Sequence, residues 1–115
     1  MENSTPQQHA LEETAPAVSP VSLVARLREL EADLRGRGVV KLDLFGSRAR
    51  GTCKPDSDVD LLIGLEPGRR FTLIDWAGLE RWLTERTGIE THLQTWRSVP
   101  ASLRDGLASE AKRVF

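Results

Sequence analysis

Leucine residues recur at helical spacing in the first amphipathic stretch of the chain. They lie three or four residues apart, and arginine and glutamate fill many of the positions between them. This pattern predicts one amphipathic helix, which Ser19 or Ser22 would start and whose end Gly36 and Gly38 would bracket. The leucines on its apolar face are Leu23, Leu27, Leu30 and Leu34.

Three shorter apolar stretches have the composition of β-strands. The first, Val39–Phe45 (VVKLDLF), is rich in apolar and β-branched residues and stops at Gly46. The second, Val59–Leu65 (VDLLIGL), has the same character, and a polar loop that contains a proline separates the two. Ile89–Trp96 (IETHLQTW) is predicted as a third strand.

Two further helices are predicted in the second half of the chain. Thr72, with Asp75 three residues later, resembles a capping box in which aspartate replaces the usual glutamate. The helix that follows would end at Gly88 and would bury Trp76, Leu79 and Leu83. Pro100 suits an early position of the last helix. The apolar face of that last helix would comprise Leu103, Leu107, Ala111 and Val114.

The predicted order of elements is helix, strand, strand, helix, strand, helix. We therefore expect an α/β (α+β) domain in which helices pack on a small mixed sheet. This domain would span residues 21–115. Residues 1–20 are polar, rich in proline, serine, threonine, glutamate and alanine, and lack an apolar period, which predicts a disordered N-terminal tail.

The overall charge and composition narrow the possible partners. The 16 basic and 17 acidic residues leave a net charge of −1, which argues against an extended nucleic-acid surface but allows a small anionic ligand. No apolar run approaches the roughly 20 residues that a membrane-spanning helix needs. The single cysteine, Cys53, excludes an internal disulfide and a multi-cysteine zinc site. We expect a cytoplasmic protein with no membrane contact.

Two aspartates at the start of the second strand have the spacing of a metal site. Asp58 and Asp60 are two residues apart, so on a strand both carboxylates point to the same side. Two carboxylates held close together repel each other unless a cation lies between them. A hard cation such as Mg²⁺ is typically bound by one or two carboxylates together with substrate phosphates.

A glycine-serine pair follows the first strand and has the character of a phosphate-binding turn. Gly46 allows the backbone to approach a ligand closely, and Ser47 adds a hydroxyl donor at the start of a short helical turn. Arg48 and Arg50 carry guanidinium groups suited to phosphate oxygens, although we expect at least one of them to be simply solvated. An anion-binding turn beside an acidic pair predicts a site for a metal-bound triphosphate.

These residues resemble the signature of a known superfamily. Gly46-Ser47, ten intervening residues and Asp58-Val59-Asp60 are similar to the GS-x10-DxD motif of the DNA polymerase β-like nucleotidyltransferases. The longer string FGSRARG…SDVDLL resembles the minimal MNT-type members, often encoded beside HEPN-domain toxins, and the similarity covers about residues 23–115. The motif is specific because it combines the turn, its spacing and two flanking strands.

The resemblance implies an activity and a set of ligands. In that family, Asp58 and Asp60 would bind Mg²⁺, and Gly46 and Ser47 would hold the β- and γ-phosphates of a nucleoside triphosphate such as ATP. The implied reaction is the transfer of a nucleoside monophosphate, AMP above all, to an acceptor hydroxyl while pyrophosphate leaves. A tyrosine of a partner HEPN toxin would be such an acceptor, and the chain would then be its antitoxin.

The third strand departs from the family pattern. The family places a third carboxylate there, whereas this chain has His92, which suits Mn²⁺ or softer ions better than Mg²⁺ and can also act as a base. Glu90 lies two residues earlier, on the same face of the strand, and is an alternative carboxylate. A further alternative is a catalytically impaired antitoxin that neutralises its partner by forming a complex. A plain surface histidine is equally compatible with the sequence.

Overall fold

The computed structural model describes residues 18–115 and contains helices packed on a four-stranded sheet. Residues 1–17, which make up most of the expected disordered tail, lie outside the described part of the chain. In chain order the elements are α1 (Pro20–Arg28), α2 (Glu31–Gly36), β1 (Val39–Phe45), α3 (Ser47–Arg50), β2 (Val59–Leu65), α4 (Leu73–Thr87), β3 (Thr91–Thr95), a 3₁₀ turn (Trp96–Ser98), α5 (Ala101–Glu110) and β4 (Lys112–Arg113).

The strands form one mixed sheet in the order β3-β2-β1-β4. β1 runs antiparallel to both of its neighbours, whereas β2 and β3 are parallel and are connected through α4. The small mixed sheet and the α/β (α+β) class expected from the sequence are therefore confirmed. The three predicted strands are present, and the third is shorter than predicted.

One face of the sheet holds the hydrophobic core. Alternate residues of β2, Val59, Leu61 and Ile63, join this core, so the residues between them face the other side of the sheet. The helix α4 contributes Leu79 and Leu83. The remaining buried members of the core are Leu23, Val24, Leu27, Leu34, Val39, Leu42, Leu44, Ala49, Leu93 and Val114.

The prediction of a single first helix is wrong, because the structure divides it into α1 and α2. The backbone leaves the helical conformation at Leu30, with φ −96° and ψ 4°. Leu27 and Leu34, on either side of the break, are both fully buried. No glycine or proline marks the break, so the leucine spacing continues through it. Local sequence therefore gives no signal for the break, and the burial of a leucine on each side of it indicates that core packing decides it.

The prediction of a last helix that continues through Val114 is also wrong. The helix α5 ends at Glu110 and has no buried residue, and Ala111 is already extended. The following residues form β4 at the edge of β1, where Leu42 N–H donates to Phe115 O (3.0 Å) and Val114 N–H donates to Leu42 O (2.8 Å). An open sheet edge has backbone groups that need partners, and the end of the chain supplies them here.

One of the two predicted starts of α1 and both predicted ends of α4 agree with the structure. Ser19 caps α1 by accepting a hydrogen bond from the Ser22 N–H. Thr72 and Asp75 form the reciprocal capping box at the start of α4, and Gly88 ends that helix in the left-handed conformation. Among residues 18–115, no helix is long and apolar enough to cross a membrane.

Candidate active site

The two aspartates and the histidine singled out from the sequence meet on the sheet face opposite the core. Asp60 belongs to β2 and faces away from the core, and Asp58 immediately precedes the strand on the same side. The parallel register pairs Asp60 with His92 of β3. The order of the strands therefore brings together residues more than thirty positions apart in the sequence.

The histidine contacts Asp58 directly. His92 Nε2 lies 3.1 Å from Asp58 Oδ2, and both side chains are about half exposed, at 50% and 48%. Glu90, the alternative carboxylate, is more distant, with its Oε2 at 4.0 Å from His92 Nε2. The imidazole is thus held by the first aspartate of the pair at the open end of the site.

The second aspartate carries a charge that its surroundings do not fully compensate. Partial burial raises the pKa of Asp60 above its ordinary value, and the neighbouring carboxylate of Asp58 raises it further. His92 acts in the opposite direction and lowers the pKa, but burial is the largest cause. A cation between the two carboxylates would relieve this unfavourable charge.

Gly46 brings the turn against this acidic pair. Its φ of 76° and ψ of −159° lie in a region that residues with a side chain rarely adopt. A Cβ atom at this position would lie 3.0 Å from Asp60 Oδ2. The antiparallel pairing of Phe45 with Asp60 explains the contact, because it sets the end of β1 beside the start of β2. Ser47 begins α3 directly after this turn and is partly exposed.

Arg48 does not occupy the position expected for a phosphate ligand. Its side chain is only 1% exposed. Its Nε donates to Ser57 O at 3.1 Å, and its Nη2 donates to Pro55 O at 3.2 Å and also to Ser57 O. Arg48 is therefore not the phosphate ligand expected from the sequence, because its guanidinium is buried and bound to the carbonyl groups of the loop. Arg50 is exposed instead, and its Nη1 lies 3.1 Å from Glu110 Oε1.

The donor set fits a divalent cation shared with a phosphate-bearing ligand. Asp58 and Asp60 provide carboxylates on one side, and the unfavourable charge on Asp60 favours a cation there. Within residues 18–115, no group of three or more His, Cys, Asp or Glu side chains is arranged to hold a metal ion. An ion at this site would therefore need further oxygen ligands, which the phosphates of a nucleotide would supply.

Sequence reasoning missed a polar cluster around a buried aspartate on the same sheet face. Asp43 of β1 is 3% exposed and accepts hydrogen bonds from Trp96 Nε1 (3.0 Å) and Arg113 Nε (2.7 Å). Its strand partner in β2 is Leu62, which is two residues beyond Asp60. An aspartate in the middle of an apolar strand was the available signal, since a buried carboxylate needs partners.

The fold and the site together define a nucleotidyltransferase domain: a mixed sheet whose first strand ends in a glycine-serine turn and whose second carries the paired aspartates. The model of the nucleotidyltransferase domain family matches residues 26–114, and the chain belongs to this family.

Two relatives named for protein adenylyltransfer are similar over most of their length. A candidate protein adenylyltransferase of Methanocaldococcus jannaschii is 33% identical over 88 residues, which cover 76% of this chain and 92% of the relative. The protein adenylyltransferase MntA of Thermococcus cleftensis is 35% identical over 82 residues, which cover 70% of this chain and 77% of the relative.

Solved structures have the same fold. A candidate minimal nucleotidyltransferase superposes with a TM-score of 0.69 at 34% identity, and the match covers 83% of this chain and 95% of that chain. A chain from the structure of a tri-AMPylated Shewanella oneidensis HEPN toxin in complex with MNT antitoxin superposes with a TM-score of 0.58. That match has 17% identity and covers 81% of this chain and 71% of that chain, so it indicates the fold alone.

Proposed function

We propose that this chain is a protein adenylyltransferase, which transfers AMP from ATP to a hydroxyl group of a partner protein. The observation that carries the proposal is the contact between the two halves of the motif: Gly46 lies against the carboxylate of Asp60. A phosphate group at the turn would therefore be close to a cation at the acidic pair. The two adenylyltransferase relatives support the same activity.

We assign the nucleotide contacts to the turn and the metal contacts to the aspartates. The backbone N–H groups at Gly46 and Ser47, with the Ser47 hydroxyl, would bind the β- and γ-phosphates. Asp58 and Asp60 would hold Mg²⁺ or Mn²⁺, which neutralises charge on the phosphates and on the leaving pyrophosphate. Arg50 is exposed, and its guanidinium would bind a phosphate once its ion pair with Glu110 is broken.

We assign His92 the role of general base. A neutral imidazole that donates its Nε2 proton to Asp58 has an unprotonated Nδ1, which can accept a proton. In the proposed reaction, the acceptor oxygen attacks the α-phosphorus of ATP and its proton passes to Nδ1. The bond between the α-phosphorus and the bridging oxygen breaks, and pyrophosphate leaves with that electron pair.

We propose that the acceptor is a tyrosine of a HEPN-type toxin and that the chain acts as its antitoxin. The support is the solved complex of a tri-AMPylated HEPN toxin with MNT antitoxin, one of whose chains has this fold. The single cysteine suits the reducing cytoplasm, which is where we place the reaction.

A second candidate function is neutralisation of the partner by complex formation without transfer. The observation that favours it is the hydrogen bond between His92 and Asp58, because it occupies an oxygen atom that a metal ion would use. His92 also stands at the position where the resemblance to the superfamily implies a third carboxylate.

A labelling experiment tests the two candidates. The protein is incubated with ATP labelled at the α-phosphate, Mg²⁺ or Mn²⁺, and the HEPN-type partner from the adjacent gene. Covalent label on the partner should require Asp58 and Asp60 and should disappear in the D58A/D60A variant. Asp56→Ala is the matched control, since this exposed aspartate lies in the preceding loop. A stable complex without label, for either metal, would reject transfer in favour of neutralisation.

A further inference from the structure

Arg48 is a fully buried cation that joins the two halves of the candidate site. It follows Ser47 of the phosphate turn directly, and its guanidinium reaches the carbonyl oxygen of Ser57 through both Nε and Nη2. Ser57 in turn directly precedes Asp58. The side chain therefore spans from the turn that would bind phosphates to the residue before the first metal-binding aspartate.

The loop that leads to Asp58 is held at its end by two sets of hydrogen bonds. Its own turn is closed by the Ser57 N–H, which donates to Lys54 O at 3.0 Å, and by the Lys54 N–H, which donates to Ser57 Oγ at 2.9 Å. Arg48 adds bonds to the carbonyls of Pro55 and Ser57. Local turn geometry shapes the loop, whereas Arg48 fixes the position of the loop relative to the phosphate turn.

Net stability is a weak explanation for this arrangement. Burial removes the guanidinium from water, and carbonyl dipoles compensate a charge less completely than a carboxylate does. Within the described residues 18–115, Arg48 Nη1 is the buried side-chain donor without a hydrogen-bond partner. A buried donor without an acceptor costs stability, which an apolar side chain of similar size would avoid.

We propose that Arg48 is a positioning residue that sets Asp58 at the correct distance from the Gly46-Ser47 turn, so that one cation can contact both Asp58 and the bound phosphates. The inference rests on the proposed function, because it requires a metal-bound nucleotide at this site. Arg48 itself contacts neither the nucleotide nor the ion, since it is buried. Its effect passes through the Ser57 carbonyl to Asp58.

The test separates nucleotide binding from the contribution of the metal. Calorimetry measures the affinity for α,β-methylene-ATP, which cannot transfer AMP, with and without Mn²⁺. In the wild-type protein Mn²⁺ should strengthen binding. Arg48→Met should remove most of this gain. Because the hydrogen bonds of a charged group are lost, we expect the affinity measured with Mn²⁺ to fall about tenfold or more. Its metal-free affinity should stay near the wild-type value, because the Gly46-Ser47 turn is intact.

Three further variants make the test specific. Arg97→Met removes an exposed arginine in the 3₁₀ turn after β3 and should leave the Mn²⁺ gain unchanged. In an Asp58→Ala background, Arg48→Met should have no further effect, because Arg48 acts through Asp58. Arg48→Lys keeps the charge but lacks the planar fork, so it should lose part of the gain; it also serves if Arg48→Met does not fold.

The outcomes that contradict the inference differ from those that contradict the proposed function. A folded Arg48→Met, or failing that Arg48→Lys, with the full Mn²⁺ gain would overturn the role of Arg48 alone. The role of Arg48 would also be overturned if Arg48→Met weakened binding in the Asp58→Ala background as much as it does in the wild-type protein. A wild-type protein that binds the analogue equally well with and without Mn²⁺ would overturn both, since the metal-bound nucleotide would then be absent.

Discussion

His92 Nε2 lies 3.1 Å from Asp58 Oδ2, although the two residues are separated by a strand, a helix and two loops in the sequence. The parallel pairing of β2 with β3 produces this contact, because it sets His92 beside Asp60 at the start of both strands. The imidazole of His92 therefore lies next to both aspartates of the pair. Its contact with Asp58 makes the role of His92 testable by substitution.

Replacing His92 should separate its role as a base from its effect on metal choice. His92→Ala should lower the rate of AMP transfer about 10²-fold or more, which is the typical contribution of a general base. His92→Asp should retain transfer, because a carboxylate at this position can also accept the proton, and its added charge beside Asp58 and Asp60 should favour a hard ion such as Mg²⁺. Single-turnover labelling of the partner with each metal measures both effects.

Gln94→Ala is the matched control, since Gln94 is exposed and two residues further along β3 on the same face. A His92→Ala variant with wild-type rates would remove the histidine from the proposed mechanism.

Gly46 should not tolerate a side chain. Gly46→Ala would force a residue into a conformation that costs about 1–3 kcal/mol and would place a methyl group against the Asp60 carboxylate. We expect loss of transfer together with weaker Mn²⁺-dependent nucleotide binding. Gly68→Ala is the control, because Gly68 also has a positive φ (79°) but has nothing within 4 Å of the added Cβ. If both variants lose equal stability and equal activity, the contact with Asp60 is not the cause.

Asp60 should reduce the stability of the protein at neutral pH. Its raised pKa means that the folded state binds the proton more tightly than the unfolded state does. The contribution of Asp60 to stability is therefore greatest below the ordinary aspartate pKa of 3.8 and is lost as pH rises through the higher pKa of the folded state. Asp60→Asn should accordingly raise the melting temperature at pH 7 and have less effect at acidic pH.

Mn²⁺ together with α,β-methylene-ATP should stabilise the wild-type protein in a thermal melt, because binding to the folded state raises its stability, and the same substitution should abolish this gain. Asp56→Asn, in the exposed loop, should retain that stabilisation. A melting temperature that Asp60→Asn lowers at pH 7 would contradict the unfavourable charge on Asp60.

The buried Asp43 should be required for stability. Asp43→Ala would leave the Trp96 N–H and the Arg113 guanidinium without their acceptor, at a cost of about 1–3 kcal/mol in the free energy of unfolding. Urea denaturation measures this cost. Asp105→Ala, at an exposed position of α5, should be nearly neutral. An Asp43→Ala variant as stable as the control would mean that water replaces the lost acceptor.

Much of the site was predictable because its signals are local. The alternation of side chains along β2 already places Asp58 and Asp60 on one face, and Gly46 marks the end of β1 by its own conformational freedom. The expectation that Arg48 binds phosphate was wrong. A basic residue after a phosphate-binding turn looks the same in the sequence whether its side chain is exposed or buried. Burial is decided by the loop at Pro55 and Ser57, which covers the guanidinium.

The sequence by itself determined the first three strands, the capping box at Thr72 and the motif residues that resemble the family signature, because these depend on neighbours a few positions away. Only the tertiary structure decided the break between α1 and α2, the pairing of the chain's end with β1, the burial of Arg48 and the contact of His92 with Asp58. Each of these joins segments that are distant in sequence or depends on how they pack. Hydrogen bonds at a sheet edge, strand register and core packing therefore decided them.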